Sequence, residues 1–181
     1  MSVAYSKEKV SRSLMHFALG KSTGMVLGAV LLLFLVRVLD AQDYGVYIAM
    51  FATLEIIQLI SSFGLVAVAQ RYIPEVRDKG PSAQLRKLLS TIIVLRAIAL
   101  IIGLLIVYLL SAWIVKQLGI GSVEIFRLFL LVIFFEGMAR YFDLCLDSLL
   151  MQGVSQISML LRTGTKVAVL ALSPLIFSGD I

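Results

Sequence analysis

Residues 88–114 read LLSTIIVLRAIALIIGLLIVYLLSAWI, a run with one charged side chain, Arg96, and no proline. A hydrocarbon core about 30 Å thick is crossed by about 20 residues of helix rising about 1.5 Å each, so this run is long enough to span a bilayer. Inside hydrocarbon every backbone N–H and C=O must be bonded within the chain, which selects a helix over an open strand. Working outward from it, four further apolar runs cover residues 17–39, 44–68, 123–150 and 158–177. None of them alternates over about ten residues as a transmembrane β-strand does. With 60% hydrophobic residues, 15% charged residues and a mean hydropathy of +1.02, the chain has more apolar surface than a water-soluble protein of this size can cover. The expectation is an all-α polytopic membrane protein of about five transmembrane helices. Residues 1–16 would form a cytoplasmic or interfacial segment and residues 17–181 the helical bundle.

Orientation follows from the basic residues, because loops rich in Lys and Arg stay in the cytoplasm. Lys7, Lys9, Arg12, Lys21, Arg71, Arg77, Lys79, Arg86, Lys87, Arg162 and Lys166 fall on one side of the proposed spans, and only Arg37, Lys116 and Arg127 on the other. The N-terminus is predicted to be cytoplasmic. Tyr44, Tyr47, Tyr108 and Trp113 then suit an outer aromatic belt, with Tyr5 and Tyr72 at the inner one. The net charge of +5 does not indicate nucleic-acid binding, since the basic residues segregate by membrane side instead of forming one patch. They would instead favour anionic lipid headgroups.

The basic N-terminus before an apolar run has the outline of a signal peptide. The run is too long, however, no small-residue cleavage site follows, and further spans succeed it, so it reads as an uncleaved first span. Val10, Leu14 and Phe17 share one helical face and suggest a short interfacial helix leading into it. Cys145 is the only cysteine and His16 the only histidine, so no disulfide within the chain and no metal-ligand spacing is present. Gly20-Lys21-Ser22-Thr23 resembles the end of a phosphate-binding loop, but Met15 stands where the first glycine belongs and no strand precedes it, which excludes that reading. No cofactor is implied.

Two features lie inside the spans. Gly20, Gly24 and Gly28 recur every fourth residue and put a groove without side chains along one face of span one, where another helix can approach closely. In span four, Glu136, Arg140, Asp143 and Asp147 are spaced 4, 3 and 4 apart and fall in one narrow stripe. Charges near the bilayer centre cost about 2.5–3.5 kcal/mol each on insertion scales, so this stripe must face protein or a water-filled cavity. Pairing within the helix, Glu136 with Arg140 and Arg140 with Asp143, is the plainer alternative. Glu55, with Gln58 and Ser62 at i+3 and i+7, gives span two a polar face. Arg96, in span three, could pair with Glu55, Glu136 or Asp143. Lys21, Arg162 and Lys166 lie near enough to the cytoplasmic interface to snorkel.

The words Arg37-Val38-Leu39-Asp40-Ala41-Gln42-Asp43-Tyr44-Gly45-Val46-Tyr47, Ser62-Phe63-Gly64-Leu65 and Arg71-Tyr72-Ile73-Pro74-Glu75 resemble the first two spans of bacterial polysaccharide and O-antigen flippases. These belong to the multidrug, oligosaccharidyl-lipid and polysaccharide exporter superfamily. The resemblance implies a two-lobe exporter of a dozen or more helices that carries an undecaprenyl-diphosphate-linked oligosaccharide across the inner membrane by alternating access. A polysaccharide polymerase and chain-length machinery would be its partners, beside membrane lipids. Five spans fall short of that architecture, so an incomplete first lobe is expected.

A flippase must shelter a diphosphate and a glycan from hydrocarbon. Arg140 and Arg96 are the best in-span candidates for phosphate contact and Lys21 the next, with Glu55, Gln58, Glu136, Asp143 and Asp147 completing a polar cavity. Transport breaks no covalent bond, so catalysis is not implied. A cation-coupled drug exporter of the same superfamily would share the architecture but place acids without arginines opposite its cargo. A membrane enzyme would need acids beside a substantial aqueous loop, and no loop here exceeds about twenty residues. A non-transporting scaffold is the third alternative.

Overall fold

The computed structural model describes the backbone of residues 7–177, and side chains within 11–168 apart from Arg12, Ser13 and His16. The expectations for Tyr5, for His16 and for the Val10 end of the interfacial face lie outside these described residues. The fold is all-α, with seven helices among the described residues: α1 (Lys7–Val38), α2 (Ala41–Ser62), α3 (Leu65–Lys79), α4 (Ser82–Leu109), α5 (Ser111–Leu118), α6 (Val123–Ser148) and α7 (Gln152–Phe177). Three stretches are long and apolar enough to cross a membrane: Phe17–Val38, Ala41–Ser62 and Ser82–Leu109. A fourth is added if α5 and α6, bent by 107° across their junction, make one broken span. The chain is thus a multi-pass membrane protein with three to four such spans among its described residues. Much of the predicted fifth run, 158–177, has side chains beyond the described ones.

The boundaries differ from expectation where the backbone, not the hydropathy, ends a helix. The predicted second span ran to Val68, but α2 stops at Ser62 because Phe63 (φ 39°) and Gly64 (φ 75°) adopt the left-handed conformation, which cannot continue the i→i−4 ladder. The segment after it is no loop. It forms α3, which buries Ala69 and Ile73 on one face, turns Arg71 and Tyr72 outward, and carries Pro74 in its interior. Likewise the predicted third span ran to Ile114, whereas α4 ends at Leu109 and α5 begins at Ser111. Gly119 closes α5 in the left-handed region (φ 66°), and Ser122 opens α6 by accepting a bond from the Ile125 N–H at 3.3 Å. At the N-terminus α1 runs unbroken from Lys7, so the proposed interfacial helix and the first span are one helix.

The described contacts form two compact units. In the first, α1 packs on α7. A Cβ on Gly20 would lie 2.5 Å from Gln156 Cβ, one on Gly24 would lie 2.5 Å from Met159 Cε, and one on Gly28 would meet open space. The glycine groove therefore receives α7 over its first two turns and not its third. Because residue number rises together on both helices, α1 and α7 run in the same direction.

The second unit, Gly45–Leu149, has two apolar clusters. One joins Leu54, Ile57, Leu100, Phe126, Leu130 and Ile133, and the other Ala69, Ile73, Ile92, Tyr141 and Cys145. Side chains of polar residues stand between the two sets: Gln58 and Ser61 of α2 and Arg96 of α4 are buried, and Arg140 of α6 is half-buried. A polar layer thus separates two dry ones.

Candidate functional site

That layer opens into a cleft of about 320 Å³, lined by Glu55, Gln58 and Ser62 from α2, Arg96 from α4, and Gly137, Arg140 and Tyr141 from α6, with Leu59, Val66 and Leu144. The i, i+3, i+7 spacing on α2 brings Glu55, Gln58 and Ser62 to one wall. Gly137 has no side chain because the Gln58 carboxamide occupies that space: a Cβ there would fall on the amide.

Two arginines meet different surroundings. Arg140 donates through Nη1 to Glu55 Oε1 at 2.7 Å and through Nε to Glu136 Oε1 at 3.2 Å, one turn back on its own helix. Its side chain is 38% exposed, against 53% for Glu55 and 13% for Glu136, so these pairs tie α2 to α6 with modest energies. Arg96 is only 4% exposed. Its Nη1 donates to Ser61 Oγ at 3.1 Å and to the Gln58 carbonyl at 3.4 Å, and its Nη2 donates to Gln58 Oε1. The guanidinium carbon sits 5.7 Å from the centre of the Tyr141 ring. Gln58 Nε2 in turn donates to the Ile133 carbonyl at 3.1 Å. Tyr141 donates its O–H to the Leu65 carbonyl at 3.3 Å, just beyond the break between α2 and α3. Arg96 and Tyr141 therefore hold carbonyls on both sides of that break.

Of the residues singled out in the sequence, Glu55, Gln58, Arg96 and Arg140 line the cleft, and Glu136 joins them through Arg140. Asp143 and Asp147 are half-buried further along α6 and do not line it. Lys21 is exposed on α1, in the other unit. The expected carboxylate partner of Arg96 is replaced by neutral acceptors, because α2 presents Gln58 and Ser61 to it and gives Glu55 to Arg140. Ser61, Gly137 and Tyr141 were not anticipated. The last two lie four residues apart on the face of α6 beside the charge stripe, and that spacing is their only sequence signal.

Residues 10–179 match the family described as polysaccharide biosynthesis protein. No curated protein and no solved structure matches the chain.

Proposed function

This chain belongs to the polysaccharide biosynthesis protein family, and from that premise we propose that it forms part of a flippase. The flippase moves a lipid-linked oligosaccharide across the bacterial inner membrane by alternating access, with the N-terminus cytoplasmic. The observation that carries this reading is the charged cleft set between apolar layers of membrane-length helices. Intramembrane ionisable groups are costly, and they mark pathways for polar cargo. Undecaprenyl diphosphate presents such cargo: its tail stays in lipid while its diphosphate and sugars need cations and hydrogen-bonding groups. Arg96 and Arg140 are the cations, and Glu55 and Glu136 balance Arg140.

The test is surface glycan in cells whose own exporter is deleted, complemented by the gene that encodes this chain. A guanidinium makes forked bonds that an ammonium cannot. Arg140→Lys should keep insertion and folding while cutting export about tenfold, the equivalent of one charge-assisted bond. If Arg140 served only to neutralise its neighbours, Glu55→Gln, Glu136→Gln and Arg140→Gln together would restore folding and export, since no unpaired charge would remain. Full export by that triple variant would refute the cargo role.

A further inference from the structure

We propose that the groove between the end of α4 and the start of α6 binds a zwitterionic phospholipid, phosphatidylethanolamine. Arg127 receives its phosphate, Glu124 its ammonium, and the groove one acyl chain. The site is separate from the charged cleft, and the proposal does not depend on what that cleft carries.

The groove, of about 800 Å³, is lined along α4 by Ile101, Leu104 and Leu105 and along α6 by Leu128, Leu130 and Leu131. Leu104 and Leu130 pack in the cluster around Ile57 and Phe126, so the floor is set by the core of this unit, while the other four side chains are exposed. Its polar residues stand at one end only: Tyr108 near the end of α4, and Glu124 and Arg127 near the start of α6. From Arg127 to Phe134, at the opposite end, the groove follows about 10 Å of helix. One leaflet of hydrocarbon is about 15 Å deep. The groove thus covers most of one leaflet with its charges at one end, which is the outline of a phospholipid and too short a face for a second membrane-spanning helix.

Helix α5 gives the depth of the charged end. It meets α6 at 107°, close to a right angle, so where α6 crosses the membrane α5 lies along the surface. It buries Ser111 and Val115 and exposes Trp113 and Lys116, the aromatic and basic residues that suit the interface. Arg127 is tied to this helix, because its Nε donates at 3.0 Å to the Oγ of Ser111, which is fully buried. The guanidinium carbon also lies 4.6 Å from the centre of the Tyr108 ring. These contacts hold the guanidinium at headgroup level and leave both Nη groups for an outside acceptor, since no carboxylate pairs with Arg127 among the described residues. Such a fork suits phosphate oxygens.

Glu124 selects among headgroups. It is exposed, stands one turn before Arg127, and makes no ion pair among the described residues. An open carboxylate there repels a headgroup of net negative charge and attracts one that carries an ammonium beside its phosphate. Ethanolamine supplies that ammonium with N–H groups for the carboxylate to accept.

Cys145 is the only cysteine and is buried in the cluster with Tyr141, so a thiol-reactive dye reads the unfolding of this unit directly. The full chain is purified in an uncharged detergent and heated with phosphatidylethanolamine, phosphatidylcholine or phosphatidylglycerol at matched mole fraction. A ligand that binds only the folded state raises the midpoint. Phosphatidylethanolamine should raise it by several degrees and the other two by clearly less. Arg127→Gln should abolish the rise.

Because Arg127→Gln also loses the Ser111 bond and can fail to fold, Glu124→Gln provides the second variant. Glu124 is exposed and unpaired, so the protein should fold, and phosphatidylglycerol should then match or exceed phosphatidylethanolamine. Arg140→Lys, in the charged cleft, should keep the original rises. Equal rises with the three lipids, or a preference for phosphatidylethanolamine that survives Glu124→Gln, overturns the headgroup assignment. A rise that survives Arg127→Gln, or is lost in Arg140→Lys, takes the lipid out of this groove. Absence of any rise overturns the site, and a chain that then sediments as a dimer dissociated by Leu131→Arg gives the groove to a second copy.

Discussion

Replacing Gly137 with alanine adds one methyl group in the place where the structure leaves no space. The new Cβ would lie on the Gln58 carboxamide, 2.8 Å from both Cδ and Oε1, so the glutamine must swing away. Two interactions go with it: the Gln58 Nε2 bond to the Ile133 carbonyl, 3.1 Å long, and the acceptance of Arg96 Nη2 by Gln58 Oε1. A buried donor or acceptor stranded in this way costs about 1–3 kcal/mol, so two cost about 2–6 kcal/mol, and alanine returns about 1 kcal/mol of helix propensity, which leaves a net loss of about 1–5 kcal/mol. For a chain of this size that corresponds to a fall in unfolding midpoint on the order of 3–15 °C, read through the Cys145 thiol. Gly28→Ala, where a Cβ meets open space, should leave the midpoint unchanged or slightly higher. The mechanism is checked by a cycle: in a Gln58→Ala background the obstructing side chain is gone, and Gly137→Ala should cost little. An unchanged midpoint in Gly137→Ala, or an equal loss in the Gln58→Ala background, would refute the reasoning.

Three further outcomes are expected. In a Cys145→Ala background, an impermeant thiol reagent applied to intact cells should label Gln42→Cys and leave Ser82→Cys untouched; labelling at position 82 would reverse the orientation. Gly64→Ala should destabilise by about 1–2 kcal/mol in thermal unfolding, because φ 75° is strained for any residue with a Cβ, and a neutral result would mean that the break relaxes. Gly20→Leu should lower the yield of folded protein far more than Gly28→Leu, since only the former drives a side chain into Gln156; equal yields would place α7 away from this groove.

What the sequence could and could not disclose follows from the kind of signal each feature leaves. The run within Ser82–Leu109 was visible because hydropathy persists for the full width of a bilayer, whereas Val123–Ser148, interrupted by its charges, reaches that measure only together with α5. The break after Ser62 was not visible. Apolar residues continue through Phe63, Leu65, Val66 and Val68, so a hydropathy window sees one span, while the interruption lies in two left-handed backbone conformations, one of them at a phenylalanine. The basic stretch after it reads as a loop by charge. It is helical because Ala69 and Ile73, one turn apart, reach the cluster around Tyr141 and Cys145. A pair of small and aliphatic residues among charges is too short a pattern to announce a helix by itself.

The same limit separates the two arginines. Within one helix, spacing reveals partners, and Glu136 with Arg140 at i+4 was anticipated and is formed at 3.2 Å. Partners on other helices leave no trace in spacing: Glu55 lies 85 residues from Arg140 and still takes its Nη1. The stripe on α6 is conspicuous because its charges cluster, and clustering is also what lets Arg140 be neutralised. Arg96 is inconspicuous, one cation in a long apolar run, and for that reason it has no acid on its own helix within a turn to pair with. Folding supplies it with Gln58, Ser61 and the Tyr141 ring, groups that can hold a guanidinium in place without cancelling its charge. Arg140 spends its charge on Glu55 and Glu136, whereas Arg96 is held by neutral acceptors and an aromatic face, so the two in-span arginines differ in their pairing although both are lone cations in the hydropathy profile.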